Sequence, residues 1–146
     1  MEGIPTQEFQ WESPQQVQGS NEIFVVDDDE IFGRFALKLL RNYGYEARHF
    51  KSALEFLTRL RHQAPTLIIL DVYMSWINGM DLAKAIRKNP RLKKVPILMV
   101  TGFPSSEVRF QGFKAGADAF LEKPFGTGEL MELLTALLDK NKYKSN

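Results

Sequence analysis

Apolar residues in this chain form short continuous runs that alternate with stretches of helical spacing. The first run covers 23–26, and similar runs occupy 66–70, 95–100 and 119–121. A short run that is apolar at every position is typical of a strand buried on both faces, as in a parallel sheet. A further strand is predicted at 45–50. The pattern therefore predicts five strands.

Helical spacing and capping residues predict a helix after each strand. Ser52 and Glu55 form a capping box, and Gly44 and Gly116 are placed as glycines that end helices. Pro104 suits the first turn of the fourth helix. The predicted helices cover about 31–43, 52–62, 80–88, 104–116 and 130–138.

The element order is therefore strand–helix repeated five times. This (βα)5 order predicts the α/β class, with a doubly wound parallel five-stranded sheet, helices on both faces and right-handed crossovers. We expect one domain over 21–142. The glutamine-rich, aperiodic residues 1–20 are predicted to be a flexible N-terminal tail, and 143–146 a short C-terminal tail.

Composition excludes several classes of protein. The 146 residues include no cysteine, which rules out disulfides, thiolate zinc sites and cysteine nucleophiles. A formal net charge of +1 gives no electrostatic reason to expect nucleic acid or membrane as a direct partner. No apolar run approaches the roughly 20 residues of a membrane span, and no secretory signal pattern is visible. The expected location is the cytoplasm.

Polar residues with chemical potential stand where the predicted strands end. Asp27 and Asp28 follow the first strand, Asp71 the third, Thr101 the fourth and Lys123 the fifth. Ligands of open α/β sheets bind beyond the carboxyl ends of the strands, so these side chains are expected at one edge.

Three clustered carboxylates call for a counter-charge. At about 5 Å and an effective dielectric near 20, each pair repels by roughly 3 kcal/mol. A hard divalent cation with oxygen ligands, Mg²⁺ or Mn²⁺, relieves this repulsion. Asp71 can then act as a nucleophile that forms an acyl phosphate, while Lys123 and the Thr101 hydroxyl hold phosphoryl oxygens. The set suffices for phosphoryl transfer to an aspartate.

Six short motifs at the strand ends and in the loops occur in a diagnostic order over about residues 22–140. They are Val25-Val26-Asp27-Asp28, Leu70-Asp71, Met74 with Asn78-Gly79-Met80, Val100-Thr101-Gly102, Ala115-Gly116-Ala117 and Lys123-Pro124-Phe125. With these motifs the sequence resembles the receiver domains of two-component response regulators, the CheY-like superfamily. The resemblance implies a flavodoxin-like fold with strand order 2-1-3-4-5.

The resemblance also implies a metal site and a phosphorylation site. Asp27, Asp28, Asp71 and the backbone carbonyl of Tyr73 would bind Mg²⁺ (or Mn²⁺). Asp71 would take a phosphoryl group from a histidine kinase or phosphotransfer protein. The domain would be a phosphoacceptor switch that catalyses only its own phosphorylation and dephosphorylation, rather than an enzyme with a separate substrate.

The implied switch involves three further residues. Thr101 and Lys123 would contact the phosphoryl group, and Phe120 would be the aromatic that turns inward as Thr101 moves. The Lys123–Pro124 bond is expected to be cis, as in similar proteins. A downstream protein or a dimer mate is expected to read the face formed by the fourth helix, fifth strand and fifth helix, because no DNA-binding or catalytic pattern follows residue 141. The alternative is that the chain is a fragment of a longer protein.

The chain departs from the family pattern in the loop after Asp71. Ser75 stands where proline is usual, and Asn78 where aspartate is frequent. Tyr73 and Phe103 are bulky neighbours of the site. We hypothesise that they shield the acyl phosphate from water.

Two other functions fit parts of the sequence. Residues 27–29 also match the aspartate-x-aspartate signature of haloacid-dehalogenase-like phosphatases, in which Asp27 would be the nucleophile. A degenerate receiver that no longer takes phosphate is the other alternative, suggested by Ser75. The acidic residues could also merely cap the first helix.

Overall fold

The computed structural model describes residues 18–19 and 21–144. Within these residues the strands are β1 Gln18–Gly19, β2 Glu22–Val26, β3 Glu46–Phe50, β4 Gln63–Ala64, β5 Leu67–Asp71, β6 Ile97–Thr101 and β7 Ala119–Glu122. The α-helices are α1 Glu30–Asn42, α2 Ala53–His62, α3 Gly79–Arg87, α4 Ser106–Ala115 and α5 Thr127–Lys144, and one 3-10 turn spans Pro90–Leu92.

The main sheet has five parallel strands in the order β3-β2-β5-β6-β7. The predicted α/β class and parallel sheet are confirmed. The predicted order 2-1-3-4-5 differs in its numbering, because the structure adds β1 and β4, which pair with each other in a separate sheet. Strands of two residues carry no detectable period, so sequence patterns miss them.

Both predicted tails differ from the structure where residues are described. Residues 18–19 form β1, although they fall in the predicted N-terminal tail; positions 1–17 and 20 lie outside the described residues. At the other end α5 continues to Lys144, so the predicted tail at 143–146 begins inside a helix. Among the described residues no helix has the length and apolar character needed to cross a membrane.

The sheet separates two apolar layers. Alternate residues of β2 point to opposite faces, so Phe24 and Val26 pack with α2, α3 and α4, while Ile23 and Val25 pack with α1 and α5. Strands buried on both faces explain why the runs are apolar at every position. Because neighbouring strands are in parallel register, their carboxyl ends lie at one edge of the sheet.

Side-chain caps fix the start of each of the first four helices. Asp29, Ser52, Asn78 and Ser105 each accept a hydrogen bond from a backbone N–H in the first turn of the helix that follows. Helix α4 therefore begins at Ser106, and the prediction that Pro104 lies in its first turn is wrong. The Ser105 hydroxyl satisfies an N–H that a start at Pro104 would leave without this cap.

Gly112 lets the ring of Phe120 lie against α4. A Cβ atom at Gly112 would overlap that ring and would lie 3.1 Å from the sulfur of Met99. Phe120 is itself buried and contacts the ring of Phe113, with centroids 5.3 Å apart. The ring therefore occupies a notch that exists only because residue 112 has no side chain.

We predict that Gly112→Ala destabilises the protein by about 1–3 kcal/mol, because the added methyl group overpacks the notch. The control is Gly128→Ala in α5, where nothing lies within 4 Å of the new Cβ. That change should alter the free energy of unfolding by no more than about 0.5 kcal/mol, because Gly128 is an exposed residue in the first turn of α5 and its new methyl group meets nothing. Urea unfolding of both variants measures the difference, and equal effects would contradict the proposed notch.

Candidate functional site

Three carboxylates meet at the carboxyl edge of the main sheet. Asp27 and Asp28 follow β2 and Asp71 ends β5, and one oxygen of each lies within 4.8 Å of the others. Asp27 is 1% exposed and Asp71 6% exposed. The structure thus brings together the acidic residues that the strand-end pattern selected.

Lys123 places a positive charge beside two of these three carboxylates. Its Nζ lies 2.8 Å from Oδ2 of Asp27 and 3.6 Å from Oδ1 of Asp71. The same nitrogen lies 4.0 Å from the ring centroid of Phe32, which is within cation–π range. The Lys123–Pro124 bond that follows is cis, as expected from the resemblance.

Burial changes the acidity of Asp71. Desolvation, with repulsion from Asp27 and Asp28, raises the pKa of Asp71 from 3.8 to about 7, although the nearby Lys123 opposes the shift. A proton therefore competes with any cation for this carboxylate near neutral pH.

The other two carboxylates are oriented by backbone N–H groups. Oδ1 of Asp27 accepts from the N–H of Asp29 at 2.9 Å, and Oδ2 of Asp28 accepts from the N–H of Ser75 at 2.7 Å. The proline usual in the family could not donate this second bond, because it has no N–H. The departure at Ser75 therefore adds a contact to the acidic cluster.

Of the three consecutive aspartates 27–29, only Asp29 caps helix α1. Its Oδ1 accepts from the N–H groups of Ile31 and Phe32 at the start of α1. Asp27 and Asp28 instead lie in the carboxylate cluster. The alternative that the whole run only caps the helix is wrong.

Thr101 ends β6 and is fully buried. Its Oγ1 accepts a hydrogen bond from the N–H of Phe103 at 3.0 Å, which leaves the hydroxyl hydrogen to be donated elsewhere. Its carbonyl accepts from the N–H of Lys123 at 2.8 Å, so the two predicted phosphoryl-contacting residues are joined through the backbone.

Two aromatic rings stand beside the acidic edge. The rings of Tyr73 and Phe103 meet edge to face, with centroids 6.1 Å apart. Phe103 is 75% exposed and Tyr73 is also exposed. The contact brings the loop after β5 against the loop after β6.

Sequence reasoning missed three contacts of the site. They are the Phe32 ring under Lys123, the Ser75 N–H on Asp28, and the His49 ring, whose Nε2 donates to the carbonyl of Asp27 at 2.7 Å. His49 lies on β3 and Asp27 directly follows the neighbouring strand β2, which explains why no local motif signals the contact.

Comparison with known proteins places this arrangement in a family. The family model for the response regulator receiver domain matches residues 23–135. The phosphate regulon transcriptional regulatory protein PhoB of Rhizobium meliloti is 34% identical over 125 residues, which are 82% of this chain and 53% of that protein. The DNA-binding response regulator MtrA of Mycobacterium tuberculosis is 31% identical over 119 residues, or 82% of this chain and 51% of that protein. The chain spans about half the length of these relatives.

Solved structures agree with this assignment. The chemotaxis protein CheY4 of Vibrio cholerae superposes with a TM-score of 0.76 at 31% identity, covering 80% of this chain and 98% of that one. A CheY-like receiver domain protein of Methanospirillum hungatei gives 0.77 at 28% identity, covering 85% and 98%. The chain belongs to the response regulator receiver domain family, whose members are phosphoacceptor switches of two-component signalling that are phosphorylated on an aspartate.

Proposed function

We propose that this chain takes a phosphoryl group onto Asp71 from a histidine kinase or phosphotransfer protein and thereby switches a protein-interaction surface. The observation that carries the proposal is the position of Asp71, buried between two further carboxylates and the Lys123 ammonium. An Asp71 oxygen would attack phosphorus as the phosphorus–nitrogen bond of the donor phosphohistidine breaks. The phosphoryl group would end on Asp71 and the imidazole would leave.

The acidic cluster fits a divalent cation. Its three oxygens are hard ligands close enough to share one ion, which suits Mg²⁺ or Mn²⁺. Asp27, Asp28 and Asp71 would hold the ion, together with the backbone carbonyl of Tyr73. Bound there, it would neutralise charge on the phosphoryl oxygens during transfer.

Thr101 and Lys123 would hold the transferred group. The Thr101 hydroxyl can donate to one phosphoryl oxygen, and Lys123 can leave its ion pair with Asp27 to meet another as a point charge. Both residues are tied to the strands that border α4, so their movement would reach that helix. Phe120, which now lies in the Gly112 notch, is the proposed switch aromatic.

The output surface would be the face formed by α4, β7 and α5. Phe110 and Phe113 of α4 are exposed large apolar residues there, and Arg109 joins α4 to β7 through an ion pair with Glu122 at 3.0 Å. A downstream protein or a dimer mate would read this face, without direct contact to nucleic acid. We place the protein in the cytoplasm, with residues 21–142 as the receiver unit.

The phosphatase alternative receives less support from the site. Both oxygens of Asp27 are engaged, one by the N–H of Asp29 and one by Lys123, so this carboxylate is poorly placed to attack phosphorus. A degenerate receiver would be expected to lack part of the cluster, whereas the acidic residues and Lys123 lie together here.

The test of the proposed function is intact mass after incubation with acetyl phosphate and Mg²⁺. We expect one phosphoryl adduct on the wild type that requires the cation and is lost in Asp71→Ala. The matched control is Asp81→Ala, since Asp81 is an exposed aspartate of α3 and should leave the adduct unchanged. An adduct that persists in Asp71→Ala, or that moves to Asp27, would overturn the assignment.

We predict that Asp71→Asn stabilises the fold when no divalent cation is present. Because the pKa of Asp71 is raised from 3.8 to about 7, the protonated side chain stabilises the folded state fully below about pH 3.8. This stabilisation is lost as the pH rises through about 7. The gain in unfolding free energy should therefore be small in acid and largest above neutral pH.

Thermal unfolding with and without Mg²⁺, across that pH range, measures the gain. Mg²⁺ should stabilise the wild type more than the variant, because the variant lacks one ligand charge. Asp81→Asn controls for removal of an exposed charge. A gain that does not depend on pH would show that the carboxylates do not interact as described.

We also predict that replacing Tyr73 and Phe103 with serine speeds loss of the phosphoryl group. The edge-to-face pair would otherwise exclude water from the acyl phosphate. Decay of the adduct after removal of acetyl phosphate gives the rate, and exposed Tyr43→Ser is the control. An unchanged lifetime would remove the shielding role.

A further inference from the structure

A groove of about 830 Å³ lies between β3 and α2, on the flank of the sheet away from α4 and α5. One face of α2 lines it, including Leu54, Thr58, Arg59 and His62. The opposite wall is β3, one of the two edge strands of the main sheet. Edge strands are usually covered or blunted, because their unpaired backbone groups invite association.

Gln18, the first residue that the structure describes, lies beside this groove. Gln18 of β1 pairs with Gln63 of β4, and Gln63 lines the groove next to His62. Residues 1–17 therefore join the structure at one end of the groove. Residues 9–17 are nine positions, and nine residues of extended chain can reach up to roughly 30 Å from Gln18. That reach exceeds the roughly 12 Å length of the α2 face from 54 to 62.

The charges of the two parts are complementary. Residues 1–17 contain Glu2, Glu8 and Glu12 and no lysine or arginine. Among the described residues no carboxylate pairs with Arg59, whose NH1 donates to the amide oxygen of Gln63 at 3.3 Å. Glu55 is the groove's one acidic residue among those described.

The apolar surfaces match as well. Leu54 is 74% exposed at the far end of the groove. The N-terminal segment carries Phe9 and Trp11 between Glu8 and Glu12. An aromatic pair flanked by acids suits a groove that combines an exposed leucine with an arginine.

We propose that the chain's own segment 8–12 docks in this groove, with its carboxylates toward Arg59 and its aromatic rings toward Leu54. The docked segment covers the flank of edge strand β3. The proposal does not rest on the phosphoryl chemistry proposed for Asp71, because Asp71 ends β5 and does not line the groove.

The test uses Trp11 as a probe. The chain has two tryptophans, so Trp76→Phe leaves Trp11 as the only one. In that full-length background, acrylamide quenching of Trp11 should rise several-fold with Arg59→Glu, and also with Glu8→Lys plus Glu12→Lys. Combining the three charge reversals should restore the protection. The matched control is Lys84→Glu, a charge reversal in the last turn of α3, as Arg59 is in the last turn of α2.

A second measurement tests the proposal without the charge reversal at Arg59, in case that groove variant fails to fold. The chain has no cysteine, so Gln10→Cys can be paired with Thr58→Cys in the groove or with Lys84→Cys on α3 without background. Mild oxidation should form a disulfide within one chain several-fold faster for the Thr58 pair. The proposal would be overturned by equal rates of disulfide formation for the two cysteine pairs, or by acrylamide quenching of Trp11 that does not change with Arg59→Glu. A disulfide between two chains would overturn it in favour of a second copy as the occupant.

Discussion

The Lys123 ammonium lies among carboxylates that would otherwise repel one another at the edge of the sheet. It contacts Asp27 at 2.8 Å and Asp71 at 3.6 Å, and the ring of Phe32 lies beneath it. Even with this cation present, burial and repulsion hold the pKa of Asp71 near 7. Lys123 therefore neutralises the negative charge of the site only in part. The remaining negative charge is the physical basis of the proposed divalent cation and phosphoryl chemistry.

The same strands that form the site also border the proposed output surface. The Lys123 N–H donates to the Thr101 carbonyl, and Phe120 lies on β7, the strand that Lys123 directly follows. Phe120 then contacts α4 in the notch at Gly112, where Arg109 lies over its ring at 5.7 Å. A change at Lys123 or Thr101 thus has a short route through packed groups to α4, because close-packed interiors transmit small displacements.

In each strand–helix unit, the strand, the residue at its end and the cap of the following helix were the most predictable parts. Strand runs such as β5 and β6, the cap at Ser52 and the strand-end residues Asp71 and Lys123 follow from local pattern. The start of α4 was misplaced, because both Pro104 and Ser105 are acceptable near a helix start and only the Ser105 hydrogen bond decides between them. The short strands β1 and β4 were missed, since their pairing joins residues far apart in sequence.

The sequence by itself determined the alternation of strands and helices, the buried character of the sheet and the edge at which the polar residues gather. These features depend on hydrophobic period and on strand direction, which are local properties. Only the tertiary structure decided that Asp29 caps α1 while Asp27 pairs with Lys123, a partner 96 positions away. It also decided that Ser75 holds Asp28 and that Gly112 receives Phe120. Such contacts join separate elements, and their geometry depends on packing that no local sequence period records.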